Sequence, residues 1–169
     1  FYSLLWISIL LSMMLATEDI FLEDFSDGTL EQTIISNTSF PLLIAKKIFI
    51  YWLMIGVPIS FLSFLFSLSL TQDFHLSLSI FPLSVVSSYI FLNLFVFGNA
   101  LSLNKGSVLG AIITMPLALP VLIILGKSVI AIEFGINYVE FLLLLLGILS
   151  IIITIVPFII SYVIKAHLE

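Results

Sequence analysis

Cysteine and arginine are both absent from this chain, and charged residues fill only 9% of its 169 positions. Without cysteine there is no disulfide framework, no thiolate metal site and no cysteine nucleophile. Five lysines against ten acids leave a net charge of −5, which is no basis for the basic face that nucleic acid requires. A soluble domain carries roughly 25% charged residues. Here 62% of the residues are hydrophobic and the mean hydropathy is +1.34. A fold this apolar has no surface left to dissolve it, so the chain is an integral membrane protein.

Five apolar runs are separated by polar breaks, at about residues 1–16, 42–70, 78–97, 108–125 and 138–164. The last four are long enough to span a bilayer as helices, which takes about 20 residues. Barrel strands would alternate over short segments, and Leu142–Leu146 does not alternate. The fold class expected is therefore all-α: residues 1–169 form a single polytopic transmembrane helix bundle. The first run is about a turn short of a span and lacks the basic stretch of a signal peptide. It reads as the tail of a helix whose beginning lies outside this chain.

Five crossings place the breaks alternately on two sides. Lys46, Lys47, Lys105 and Lys165 fall on the side of residues 17–41, and only Lys127 falls on the other. Basic residues favour the cytoplasmic side, so residues 17–41 are expected there. Gly56, Pro58 and Pro157 interrupt spans, and Pro116 and Pro120 lie one turn apart, where each frees a backbone carbonyl and bends a helix. Gly106 and Gly110 form a GxxxG pair that admits another helix closely; packing inside the bundle is its plainer reading.

Little in the spans points to chemistry. Asn104-Lys105-Gly106-Ser107 puts lysine before glycine on a membrane turn, unlike a phosphate-binding loop. His75 and His167 fall on opposite sides of the membrane, too far apart to clamp one haem iron, and the four methionines read as packing. No ionisable residue sits at the centre of a span, where one would mark an ion path; Glu133 and Glu140 lie near the outer interface. Asn93 and Asn99 suit hydrogen bonding between helices. No nucleophile, base and acid come together.

The informative stretch is polar. Glu18, Asp19, Glu23, Asp24, Asp27 and Glu31 follow one another without an intervening base. Anionic headgroups repel such a segment, so it suits a protein partner better than a lipid surface. Asp27 can cap a helix that starts about Gly28 and ends about Ile35, with Leu30, Thr33 and Ile34 on one face. A short amphipathic helix there can fill a groove on a soluble subunit; a solvated loop with one helical turn is the alternative.

Asp27-Gly28-Thr29-Leu30-Glu31-Gln32, followed by Ser36, Pro41 and Lys46, resembles the first cytoplasmic loop of ABC-2-type transporter membrane subunits. Within that group three stretches resemble the haem exporter protein B family, the membrane subunit of the cytochrome c maturation ABC transporter. They are Phe21–Gln32, Leu43–Lys47 with Trp52 after it, and Pro116–Gly126 with its paired prolines. The resemblance covers essentially the whole chain. It implies six spans in the complete fold, five of them here, with a cytoplasmic coupling helix.

The resemblance further implies a non-catalytic subunit in the bacterial inner membrane, or alternatively the mitochondrial inner membrane. An ABC ATPase subunit would dock on residues 17–41 and hydrolyse ATP; the chain itself would bind no cofactor. Haem would be a candidate cargo, and a haem-presenting membrane protein with other cytochrome c maturation subunits would be partners. Either haem export or release of the haem-loaded periplasmic chaperone would consume the ATP. The docking residues expected are Asp27, Gly28, Thr29, Leu30, Glu31 and Ile34; Gly106, Gly110, Pro116 and Pro120 are expected to shape packing and kinks. The alternatives are an ABC-2 exporter permease for another substrate, and a self-contained channel or carrier.

Overall fold

The computed structural model describes residues 1–18, 20–36, 39–103 and 107–168. Described residues form seven helices: α1 (Tyr2–Ala16), α2 (Leu22–Ser26), α3 (Thr29–Ile35), α4 (Phe40–Thr71), α5 (Phe74–Leu101), α6 (Ser107–Glu133) and α7 (Val139–Leu168). No strand occurs among the described residues. Four helices are long and apolar enough to cross a membrane: α4, α5, α6 from Leu109 and α7 as far as His167. Helix α1, with 15 residues, rises only about 22 Å, short of a hydrocarbon core of about 30 Å.

The expected break at Gly56 and Pro58 is not a break. Helix α4 continues through it by a π turn at Trp52–Gly56. Pro58 has no N–H to give the carbonyl one turn back, and its ring crowds that carbonyl; one wider turn relieves both. The Trp52 indole lies where a Cβ on Gly56 would be. Pro116 and Pro120 likewise sit inside a continuous helix, on its exposed face, and Pro157 sits inside α7. The turn expected at about 71–77 shrinks to Gln72 and Asp73. Gln72 ends α4 in the left-handed region at φ 54, and the Asp73 carboxylate accepts from the His75 and Leu76 amides at 2.9 and 3.2 Å. That cap satisfies amides that a helix start leaves unpaired.

Helix α5 is the axis of the bundle. Its most apolar stretch is 72% buried, against 22–28% for the other three candidate spans. Helices α4, α7, α6 and α1 surround it, each touching the next in that order and α1 closing on α4. The outer helices turn Leu, Ile and Phe outward, as a lipid-facing surface does when the solvent is hydrocarbon.

Small residues let the backbones approach. Along the α4–α5 seam, Ser60 and Ser88 meet at 3.3 Å, the Trp52 indole N–H donates to the Ser88 hydroxyl at 3.1 Å, and Ser77 donates to Ser67 at 3.1 Å. Most of these hydroxyls also bond a carbonyl one turn back on their own helix, so burial leaves no stranded donor. On the α5–α6 seam a Cβ on Gly98 would lie 2.5 Å from the Gly110 carbonyl oxygen. Gly110 therefore packs against Gly98 of the neighbouring helix; its expected partner in the GxxxG pair, Gly106, lies outside the described residues.

Candidate docking site on the polar insert

The insert begins where α1 ends. Thr17 is fully buried, and its hydroxyl donates to the Met13 and Met14 carbonyls at 3.0 and 3.1 Å. Ile20 and Phe21 follow, each 2% exposed. These two root the insert in the core before the chain turns polar. Helix α2 then carries Glu23, Asp24 and Phe25, and Asp27 closes it with its N–H on the Glu23 carbonyl at 3.0 Å.

The corner between α2 and α3 is set by Gly28, at φ 74. A left-handed residue costs glycine little and other residues more. Gly28 is also the cap position of α3, and no side chain caps that helix. The expected cap, Asp27, instead closes the C-terminal end of α2: two helices meet here rather than one helix starting from a loop. The Thr29 hydroxyl spans the corner and donates to the Asp24 carbonyl at 3.0 Å.

Helix α3 runs over Thr29–Ile35, close to the expected Gly28–Ile35. Leu30 is 5% exposed and belongs to the bundle core, with Ile34 half-buried against it. The apolar stripe that makes α3 amphipathic is thus used on this chain's own spans. A helix of seven residues needs such burial, since isolated helices of that length are unstable in water. What faces outward is Asp27, Thr29, Glu31, Gln32 and Ile35, the last 81% exposed. Sequence reasoning passed over Ile35. Its signal was angular: five residues on from Leu30, it lies about 140° around the helix from it.

Two polar links tie the insert to the spans. Lys47, in the third turn of α4, forms an ion pair with Asp24, and its ammonium also lies 5.5 Å from the centre of the Phe21 ring. Asn99, near the end of α5, donates its side-chain amide to the Thr17 carbonyl at 2.6 Å. Asn99 thus bonds between elements as expected, whereas the Asn93 amide donates to the Tyr89 carbonyl of its own helix at 2.8 Å. Contact between Thr17 and Asn99 puts the insert and the α5–α6 connection at the same end of the bundle. Lys105 lies outside the described residues.

Elsewhere the structure assembles no chemistry among the described residues. No group of three or more His, Asp or Glu could hold a metal ion. His75 is exposed in the first turn of α5, and His167 bonds the Val163 carbonyl in the last turns of α7, at the opposite end of the bundle. Glu133 ends α6 and Glu140 opens α7, both exposed.

Comparison with known proteins gives the family. The sequence profile described as CcmB protein matches residues 2–167. The chain is 28% identical over 166 residues to heme exporter protein B of Haemophilus influenzae, covering 97% of this chain and 75% of that protein. It is 32% identical over 161 residues to heme exporter protein B of Pseudomonas aeruginosa, covering 94% and 72%. A third relative of that name, from Paracoccus denitrificans, is 31% identical over 134 residues, covering 75% and 59%. A family match across nearly the whole chain, on a helix bundle able to cross a membrane four times, makes this a multi-pass membrane protein of the CcmB protein family.

Proposed function

We propose that this chain is the membrane subunit of an ABC transporter serving cytochrome c maturation, and that an ATP-hydrolysing subunit docks on its polar insert. The relatives' name, heme exporter protein B, supplies the cargo class. One observation supports the docking reading above the others: α2 and α3 are rooted in the bundle by Ile20, Phe21 and Leu30 while Glu23, Asp27, Glu31, Gln32 and Ile35 stay outside. A segment held that firmly at its base and left acidic on its outer face suits a basic protein groove and is repelled by anionic headgroups.

The chain itself would supply no hydrolytic chemistry. ATP would be bound and cleaved on the partner, and work would reach the spans through the insert. Lysines 46, 47 and 165 lie at or towards the insert's end of the bundle, and the positive-inside tendency supports a cytoplasmic position for that end, in a bacterial inner membrane. Haem, or a haem-loaded chaperone on the far side, would be what the cycle moves or releases, with a haem-presenting membrane protein alongside.

The docking surface is tested on exposed residues only, so that folding is untouched. Glu31→Lys combined with Ile35→Asp is expected to abolish recovery of the ATPase subunit when the complex is purified in detergent, with the melting profile of the chain unchanged. Full recovery of the ATPase with this variant refutes the docking surface. Loss of c-type cytochromes in a deletion strain, restored by the wild-type chain, tests the cargo separately; normal cytochromes would point to another export substrate.

A further inference from the structure

We infer that Asn99 is the positioning residue that transmits movement of the insert to the central helix and on to α6. This rests on the docking reading above and adds the route by which docking would reach the spans. The geometry is a junction of four segments. The Asn99 amide holds the Thr17 carbonyl at 2.6 Å; Thr17 is in turn fastened to the end of α1 by its hydroxyl. The residue before Asn99 is Gly98, whose backbone abuts that of Gly110 on α6. Ser102, one turn on, donates to the Gly98 carbonyl at 3.1 Å and sits 2.7 Å from where a Cβ on Gly110 would be. The root of the insert, the end of α5 and the first turns of α6 therefore meet within a few residues, with no flexible side chain between Gly98 and Gly110.

Burial distinguishes this link from the other one. Asn99 is 9% exposed and Thr17 fully buried, whereas Lys47 and Asp24 are 28% and 39% exposed, and exposed ion pairs hold weakly. The Thr17 carbonyl does not need Asn99 in order to be satisfied, because the Ile20 N–H already donates to it at 3.2 Å. A second, shorter bond from another helix adds nothing to that turn's own closure; what it adds is a tie between two elements. Packed backbones and buried hydrogen bonds carry coupling between sites when each end has alternative positions.

The absence of cysteine allows clean labelling. Spin labels at Leu22→Cys and Leu117→Cys, both exposed, report the insert and α6 in the complex with its ATPase subunit in lipid nanodiscs, with and without ATP and vanadate. Asn99→Leu removes the donor and keeps the branched shape of the side chain. Asn99→Ser is the milder second variant, since serine is satisfied by its own helix, as others on α5 are. Both are expected to retain the ATPase subunit at wild-type yield while the nucleotide-dependent shift in the population of label distances falls by roughly two- to thirtyfold. A shift of wild-type size in both variants overturns the inference. So does loss of the ATPase subunit from both, which would make Asn99 a support for docking rather than a transmitter. Failure of the wild-type chain to recover an ATPase subunit sinks the docking reading itself, and the transmission claim with it.

Discussion

Alanine at Gly98 should force apart two helices whose backbones meet at that residue. Its Cβ would lie 2.5 Å from the Gly110 carbonyl oxygen and 2.5 Å from Thr114 Cγ2, about 0.9 Å inside ordinary van der Waals contact on both counts. One of these neighbours is backbone and the other a methyl held by a hydroxyl that bonds the Gly110 carbonyl at 2.9 Å, so neither can swing aside. Helices α5 and α6 must open by most of that distance. Overpacking of this kind costs about 1–3 kcal/mol, and opening the seam also forfeits dispersion contacts along it. Gly110→Ala meets the Gly98 carbonyl oxygen at 2.5 Å and should cost a similar amount, with the double variant less than additive because one opening relieves both clashes. Gly126 and Gly147 are the internal controls. Both are helical and a Cβ at either meets nothing within 4 Å, so alanine there should be neutral or stabilise by up to about 1 kcal/mol. The assay is the midpoint of unfolding in mixed detergent micelles with increasing sodium dodecyl sulfate. If Gly98→Ala and Gly110→Ala unfold with the same midpoint as Gly126→Ala, the close crossing of α5 and α6 is wrong.

Leu30→Ala should destabilise by about 2–5 kcal/mol, as truncation of a buried leucine does, while Ile35→Ala, outward on the same helix, should leave the melting midpoint unchanged. Gly28→Ala places a β-carbon at φ 74 and should cost about 1–2 kcal/mol, with Gly28→Asn milder; limited proteolysis of the α2–α3 corner reads this directly. Asp73→Ala removes the carboxylate that accepts from two α5 amides and should cost about 0.5–2 kcal/mol, measured against Asp73→Asn, which keeps an acceptor. A double-mutant cycle on Lys47 and Asp24 should give a coupling of about 1 kcal/mol or less; a larger value would mean that this ion pair, and not only Asn99, holds the insert.

Several features of the polar insert were legible from local chemistry. An acidic stretch with no base, and a helix signal at 28–35, depend on neighbours in sequence, and the structure has a helix over Thr29–Ile35. The side that helix presents was not legible. Periodicity marked Leu30 and Ile34 as a stripe but could not tell a partner's groove from the chain's own bundle, because both bury apolar area equally well. The Asp27 cap failed for a related reason: α2, five residues long, has too weak a pattern of its own to be seen, and its presence moves the helix start to Gly28.

Composition and run length alone determined that this chain lives in lipid and that it is helical, and roughly where the long helices lie; α6 runs to Glu133, eight residues past the expected end at about 125. The cause is simple: hydrocarbon offers no hydrogen bonds, so a long apolar run must satisfy its own backbone, and a helix does so locally. Tertiary structure decided what local pattern cannot encode. Run length and hydropathy do not say which span is the axis; α5 holds that place, and its buried serines and Gly98 let neighbours approach on several sides. Gly110 met Gly98 on another helix, and Asn99 met a carbonyl 82 residues away. Those partners are chosen by packing across the bundle, where sequence distance has no meaning.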